Sequence, residues 1–159
     1  MTERGTPAEF ARWVQPHLTV ITRYAGRQVP PGDRDDVVQE ALIRAWQRWS
    51  TYDPTRGSAA AWLLGIVADR CRRHRTRELS GRVVELVEHA APSAPHDVDL
   101  ERAIDGLARR QRQAVELHYF VGLDVATVAE VMGCAPGTVK ATLHQARARL
   151  REVLGDDDD

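Results

Sequence analysis

Apolar side chains recur every three or four residues through most of the chain, a spacing that predicts amphipathic α-helices. The first helix, over about residues 7–28, carries the apolar residues Phe10, Trp13, Val14, Leu18 and Ile21. The second begins near residue 33 or 35 and is predicted to bury Val37, Val38, Ala41, Leu42, Ala45, Trp46 and Trp49. After a loop rich in Pro and Gly, Ser58 is expected to cap a third helix that packs Trp62, Leu63, Ile66 and Val67.

The helical pattern weakens after residue 80, and Ala, Pro and Ser occupy residues 90–95. We expect a flexible linker over residues 81–97, because such a stretch offers no apolar face to pack. Two more helices are predicted over residues 98–107 and 110–120, the latter presenting Val115, Leu117 and Tyr119. The predicted fold is all-α, with two small helical domains (residues 1–80 and 98–155) and an acidic tail at 156–159.

Residues 123–154 carry the strongest local pattern, two helices separated by a glycine turn. Val128, Ala129 and Met132 form an apolar face, and small Ala129 permits close packing of the second helix. Gly133 suits the left-handed end of one helix and Pro136 the first turn of the next. The second helix is predicted to face inward with Val139, Leu143, Ala146, Leu150 and Val153. This pattern is typical of a helix-turn-helix.

The predicted outward face of that second helix is polar and basic, and comprises Thr138, Lys140, Ala141, His144, Gln145, Arg147 and Arg151. Side chains of this kind reach phosphates and base edges in a DNA major groove. A helical hairpin that packs for its own sake, with its basic residues merely solvated, is the alternative. The turn glycine, the small residue and the polar face together favour DNA binding.

The net charge of −1 conceals a division along the chain. Residues 1–77 carry +5, residues 78–106 carry −5, residues 107–154 carry +3, and the four terminal aspartates carry −4. Two basic segments separated by an acidic one suit a protein that touches a polyanion at two places. No apolar run approaches the roughly 20 residues of a bilayer span, and neither the N-terminus nor the two cysteines suggest secretion. We expect a cytoplasmic protein.

The sequence has no phosphate-binding glycine loop, nucleophile elbow or His-Glu metal motif, so neither enzymatic activity nor a cofactor is expected. Cys71 and His74, with His89 or His96 as remote additions, could suggest a metal site. A structural zinc site needs four convergent ligands, so we expect no metal. Cys71 is instead predicted to be a small buried thiol, and Cys134 a core residue.

Two stretches together resemble the sigma-70 family of RNA polymerase sigma factors. Residues 33–46 (DRDDVVQEALIRAW) resemble its core-polymerase-binding helix, and residues 137–150 (GTVKATLHQARARL) resemble its promoter-reading helix. Their order, their separation and the intervening residues 52–54 and 62–66 agree with that family. The short chain and slender linker are similar to the extracytoplasmic-function group. The resemblance implies an alternative sigma factor that binds core RNA polymerase and directs initiation at particular promoters, with an inhibitory anti-sigma partner.

The resemblance also implies three sets of contact residues. The polymerase-binding set is Asp35, Asp36, Gln39, Glu40 and Ile43. The set that reads and melts the −10 promoter element is Tyr52, Arg56, Trp62, Asp69, Arg70 and Arg73. The set that reads the −35 element is Gly137, Thr138, Lys140, Ala141, His144, Gln145 and Arg147.

Several of these assignments have an alternative. The acids are also favourable first-turn charges, and Tyr52 and Trp62 are also candidates for the core, Trp62 on its helical spacing. The six arginines between residues 70 and 82 could be a solvated face, although their density favours phosphate contact. The family commonly has Arg where Thr142 and Gln145 stand, and Ser where Ala141 stands, which predicts weaker phosphate anchoring.

Two rival functions remain open at the level of sequence. One is a stand-alone helix-turn-helix regulator, against which residues 33–46 argue, and the other is a sigma-fold adaptor that binds a regulator without initiating transcription. The tail at 156–159 is expected to be solvated, the alternative being that it folds back on Arg147 and Arg151 and masks the DNA face.

Overall fold

The computed structural model describes residues 5–81 and 95–155, with side chains described for residues 5–79 and 98–155. The chain divides into two compact units, Met1–Leu86 (unit 1) and Val87–Asp159 (unit 2). The described residues form helices joined by short turns and include no strand, which confirms the predicted all-α class. None of these helices is both long enough and apolar enough to cross a bilayer. The predicted acidic tail lies outside the described residues, as does most of the predicted linker.

Unit 1 begins with two helices where one was predicted. Helix α1 (Pro7–Val14) leads through a 3₁₀ turn (Gln15–His17) into α2 (Leu18–Gln28). The prediction of one continuous helix was wrong because proline lacks an N–H and its ring crowds the carbonyl four residues earlier, so Pro16 interrupts the α-helix. Val14 and Ile21 are buried, whereas Leu18 is 37% exposed and leaves the predicted apolar stripe.

Helix α3 (Arg34–Arg48) is followed by a 3₁₀ turn (Trp49–Thr51) and by α4 (Ala59–Gly81). Ser58 caps α4 as predicted, since its hydroxyl accepts the Ala61 N–H at 3.2 Å. Helices α2, α3 and α4 pack against one another. Their fully buried side chains include Ile21, Val37, Leu63, Leu64, Val67 and Cys71.

The buried side of α3 is narrower than predicted. Val37, Ala41 and Ala45, at four-residue steps, are each 1% exposed. The other residues predicted to be buried are only half-buried: Val38, Leu42, Trp46 and Trp49. They lie to one side of the buried stripe, because at 3.6 residues per turn each is rotated away from it.

Unit 2 opens with α5 (Pro95–Asp105) and α6 (Arg109–Val115), and α6 widens into a π-helix (Glu116–Phe120). The predicted helix over residues 110–120 is therefore present but changes type halfway. Val115 and Leu117 are buried as predicted, whereas Tyr119 is 52% exposed. The prediction that Tyr119 is buried with them was wrong: its ring lies at the surface of the π-helix, and its hydroxyl is bonded to Arg147 of α8.

The helix-turn-helix is present as α7 (Val125–Met132) and α8 (Pro136–Leu154). Gly133 has φ +68°, the left-handed conformation that favours glycine at a helix C-terminus. Asp124 caps α7 by accepting the Thr127 N–H at 2.7 Å. Cys134 is half-buried rather than fully buried, and Val153 is 53% exposed, so the predicted inward stripe stops before the last turn of α8.

Candidate polymerase and nucleic-acid interfaces

The polymerase-binding set lies on one exposed side of α3. All five of its members are exposed: Asp35, Asp36, Gln39, Glu40 and Ile43. Steps of one, three and four positions keep these residues on one side of a helix that turns every 3.6 residues. Since Val37, Ala41 and Ala45 anchor the other side in the core, the structure brings the set together and leaves it accessible.

The chemistry of this α3 face is an apolar residue surrounded by carboxylates. Ile43 is 52% exposed, and the side chain of Asp35 stays 85% exposed although Arg34 Nε lies 3.1 Å away. Asp35 and Asp36 do lie in the first turn, where the helix dipole stabilises them. Residues 39, 40 and 43 lie beyond that turn, so the dipole does not account for the whole face.

An aromatic cluster occupies the surface of unit 1 near the ends of α1 and α3 and the start of α4. Its rings are half-buried and belong to Phe10, Trp13, Trp46, Trp49, Tyr52 and Trp62. Ring centroids of Trp13, Tyr52 and Trp62 lie 5.2 to 5.8 Å apart, so these three form a mutually packed set. Tyr52 and Trp62 are therefore packed and partly accessible at once, as a stacking surface requires.

The loop between α3 and α4 is organised by Asp53. Its carboxylate accepts hydrogen bonds from the Thr55 hydroxyl at 2.7 Å and from the Thr55 N–H at 2.9 Å. These bonds stabilise the ionised form and hold the pKa of Asp53 below its ordinary value. Tyr52 donates its hydroxyl to the Gly57 carbonyl at 3.3 Å. Arg56 reaches Asp53 only at 3.8 Å and its side chain is 88% exposed, so the guanidinium is available to an anion.

Helix α4 carries the basic part of the −10 set. Asp69 accepts from Arg73 Nε at 3.0 Å and lies 3.5 Å from Arg72 Nη2, which ties two guanidinium groups to one carboxylate. Trp62, Asp69 and Arg73 share one side of α4, since they are seven and eleven residues apart. The Nε atom of Arg70 is buried without a hydrogen-bond partner.

The −35 set lies on the helix-turn-helix as predicted. Six members are exposed along the first half of α8: Gly137, Thr138, Lys140, Ala141, His144 and Gln145. Val139, Leu143 and Ala146, at most 3% exposed, hold the opposite side of α8 in the core. Thr142, where the family pattern has Arg, donates its hydroxyl to the Thr138 carbonyl at 2.8 Å. The helix therefore presents a polar surface on a rigid support.

Arg147, the seventh member, is half-buried and already bonded. Its Nη1 donates to the hydroxyl of Tyr119 at 2.7 Å. Tyr119 was missed as a candidate because it was assigned to the apolar stripe of its helix. Spacing alone could not have excluded that assignment, since Val115 and Leu117 are also two positions apart and are both buried.

The two metal candidates have other roles. Cys71 is fully buried, and burial raises the pKa of its thiol to about 11. His74 Nε2 lies 3.1 Å from Asp33 Oδ2 and so links α4 to the start of α3. His89 and the side chain of His96 lie outside the described residues. Among the described residues, no group of three metal-ligating side chains is present.

These features define a helical protein with a DNA-binding helix-turn-helix in unit 2 and an exposed, partly apolar helix face in unit 1. Residues 13–80 match the family description Sigma-70 region 2, and residues 97–150 match Sigma-70, region 4. The RNA polymerase sigma-E factor of Streptomyces coelicolor is 33% identical, over 94% of this chain and 88% of that protein. The ECF RNA polymerase sigma factor SigL of Mycobacterium tuberculosis is 33% identical, over 87% and 84% respectively.

Two solved structures are similar over nearly the whole chain. One is the sigma factor RpoE in complex with the anti-sigma factor NepR from Bartonella quintana, at 28% identity and TM-score 0.70, covering 94% of this chain and 98% of that one. The other is CnrH in complex with the cytosolic domain of CnrY, at 26% identity and TM-score 0.71, covering 97% and 92%. The chain belongs to the extracytoplasmic-function group of the sigma-70 family of RNA polymerase sigma factors. These proteins are transcription initiation factors and not enzymes.

Proposed function

We propose that the chain divides transcription initiation between two domains. Residues 1–80 join core RNA polymerase and open the −10 element, residues 98–155 read the −35 element, residues 81–97 link the two, and residues 156–159 form an acidic tail. The supporting observation is that the polymerase-binding set and most of the −35 set are exposed on helices whose opposite sides are buried, while the −10 set combines half-buried aromatic rings with exposed arginines. Tethering two modest contacts in one chain makes the pair selective through effective concentration.

The polymerase contact is assigned to the exposed face of α3. Ile43 supplies an apolar anchor of the kind that dominates binding energy when a partner desolvates it. Asp35, Asp36, Gln39 and Glu40 supply the polar rim, which sets orientation and excludes other partners. Because the face needs no rearrangement to become accessible, it suits rapid docking on a preformed surface of the enzyme.

Opening of the −10 element is assigned to the aromatic cluster and the neighbouring arginines. Separated strands expose bases that stack on aromatic rings, and Tyr52 and Trp62 are packed together yet partly exposed. Arg56 and Arg73 are exposed cations that can hold the phosphates of the melted strand. Arg70 is assigned the same role on its position in α4, and Asp69 orients Arg73 by their 3.0 Å ion pair.

Reading of the −35 element is assigned to α8. Lys140, His144 and Gln145 are exposed near the N-terminal half of the helix, the part that a helix-turn-helix inserts into the major groove. Gln145 has the chemistry to read adenine and Lys140 to read guanine. Only the N-terminal part of α8 is expected to touch bases, with Arg147 reaching a phosphate.

Two further properties follow from relatives and composition. RpoE is bound by the anti-sigma factor NepR in its solved structure, and we propose that an anti-sigma protein likewise holds this chain inactive. We also propose that the protein works in the cytoplasm, where core polymerase and the chromosome are located.

A run-off transcription assay tests the proposed function. Start sites are first mapped by sequencing transcript 5′ ends after overexpression, and one such promoter is then transcribed in vitro with purified core polymerase. The expected result is a transcript of defined length that requires both core and this protein. Tight duplex binding without core would support the stand-alone regulator, and binding to core without any transcript would support the adaptor.

A further inference from the structure

Tyr119 is a half-exposed aromatic residue on an unusual backbone. It lies in the π-helix Glu116–Phe120, whose wide turn is closed by a hydrogen bond from the Val121 N–H to the Glu116 carbonyl at 2.9 Å. Single π-turns are rare and occur frequently at functional sites. With 52% of its surface exposed, Tyr119 is not held there by burial, so its position needs another explanation.

The hydroxyl of Tyr119 is engaged by α8. Arg147 Nη1 donates to it at 2.7 Å, a bond that connects residues 28 positions apart in the sequence. The ring also contacts the imidazole of His118, edge to face at a centroid distance of 4.8 Å. His118 is fixed in turn because its Nδ1 donates to the Leu123 carbonyl at 2.8 Å, the carbonyl being able only to accept. Tyr119 is thus held in place on its own helix, and Arg147 is held by its bond to Tyr119.

Arg147 belongs to a basic row along one side of α8. Lys140, His144, Arg147 and Arg151 follow one another at steps of four, three and four residues, which keeps them on the same side of a helix. Arg149 lies on the opposite side from Lys140, nine residues or two and a half turns away, and is paired with Glu152 at 3.0 Å. Through Arg147, Tyr119 therefore contacts the same side of α8 as Lys140, His144 and Arg151.

We propose that Tyr119 is a positioning residue for DNA binding, which holds the guanidinium of Arg147 ready for a backbone phosphate of the upstream promoter element. An arginine has five N–H donors, so the bond to Tyr119 leaves the others for the phosphate. A side chain fixed before binding loses less conformational entropy when the complex forms. The inference rests on the proposed role of α8 in reading DNA.

A double-mutant cycle tests the proposal with holoenzyme, assembled from core polymerase and the full chain, on a mapped promoter fragment. Tyr119→Phe removes only the hydroxyl and keeps the ring beside His118, so the fold should be retained, and unfolding monitored by circular dichroism is the control for this. Its expected effect is a threefold to tenfold weaker affinity, about the size of one ordinary net hydrogen bond. In the Arg147→Ala background the same change should have almost no effect, because Tyr119 acts through Arg147.

Loss of a phosphate contact weakens binding by about the same factor whatever the base sequence. The Tyr119→Phe loss should therefore be equal on the promoter and on a fragment with a scrambled upstream element. An unchanged or tighter affinity would overturn the proposal, since Tyr119 would then be idle or would hold Arg147 away from DNA. An equal loss in the Arg147→Ala background would also overturn it.

Two reference variants separate this inference from the proposed function. If Lys140→Ala and Arg147→Ala both leave promoter affinity at the level of Arg149→Ala, α8 does not read DNA and the proposed function itself fails. If those two variants weaken binding and Tyr119→Phe does not, the proposed function stands and only the role of Tyr119 is rejected.

Discussion

The two units use opposite kinds of side chain around their candidate sites. All four tryptophans of the chain lie in unit 1, half-buried in the aromatic cluster beside the −10 set. The described core of unit 2 is aliphatic, with Ile104, Leu117, Val128 and Val139 at most 1% exposed. Its candidate DNA face is one side of a single helix that carries no aromatic ring besides His144.

This difference matches two different tasks on DNA. Melted strands offer flat bases, which a partly exposed aromatic surface can stack and a duplex cannot present. An intact duplex offers a groove and two rows of phosphates, which a rigid polar helix can fill. Under the proposed assignment, the side chains left at the surface of each unit, more than the helical fold that both units share, distinguish strand opening from duplex reading.

The two cysteines, one in each unit, provide the comparison with the largest expected effect. At pH 8 a thiol with a pKa of about 11 is about one part in a thousand thiolate, against about one part in eleven for a thiol at the ordinary value of 9. Cys71 should therefore react with iodoacetamide at least about a hundredfold more slowly than half-buried Cys134. Peptide mass spectrometry after timed labelling measures both rates, and equal rates in the folded protein would contradict the burial of Cys71.

The raised pKa of Cys71 also predicts that stability depends on pH. The pKa of Cys71 is raised in the folded state, so folding favours the neutral thiol. The contribution of this thiol to the free energy of unfolding is therefore fully present below the unfolded pKa near 9. Stability should fall as pH rises from about 9 towards 11, because the unfolded chain then binds fewer protons. Replacing Cys71 with Ala should remove that part of the decline in urea unfolding curves.

Replacement of Ile43 by Ala tests whether the exposed face of α3 binds protein. The affinity for core polymerase should fall tenfold or more, roughly the loss expected for an apolar anchor at the centre of an interface. Fluorescence anisotropy of labelled protein titrated with core measures it. Leu18→Ala is the matched control, since Leu18 is also an exposed aliphatic residue of unit 1 and lies outside the α3 face; equal losses in the two variants would remove the assignment.

Lys140 is the only lysine of the chain, which makes its proposed DNA contact unusually easy to test. Lys140→Ala should weaken promoter binding by holoenzyme about fivefold and lower the slope of log affinity against log salt by about one. Arg149→Ala removes an equal charge from the opposite side of α8 and should change neither. In an independent measurement, promoter DNA should protect Lys140 from an amine-reactive ester, and labelling that is unaffected by DNA would place this residue off the interface.

Replacement of Asp124 should give the smallest effect, a change in the free energy of unfolding that is confined to acidic pH. Side-chain and backbone hydrogen bonds from Thr127 lower the pKa of Asp124, so the stabilisation is present above the unfolded pKa of about 4 and is lost as pH falls through the lower folded value. Asp124→Asn keeps a capping oxygen and should flatten the acid limb of the unfolding free energy followed by circular dichroism. An acid limb identical to that of the unchanged protein would show that the cap does not titrate there.

Local spacing was enough to predict much of the molecule, and the failures have local and tertiary causes. The exposed face of α3, the Ser58 cap and the turn at Gly133 follow from helical period and capping chemistry, which depend on near neighbours. The break at Pro16 also had a local signal that the hydrophobic pattern obscured. The Tyr119–Arg147 bond had none, because it joins two helices across 28 residues and depends on a π-turn.

The central claim is that the two units perform separable steps, and potassium permanganate footprinting of holoenzyme on a mapped promoter tests it most directly. The measured quantities are the fraction of template bound and the thymine reactivity of each bound complex, which reports strand opening. Lys140→Ala is predicted to lower occupancy and leave reactivity per bound complex unchanged, whereas Arg56→Ala is predicted to lower reactivity at nearly unchanged occupancy. Proportional losses of both quantities in both variants would contradict the division of labour.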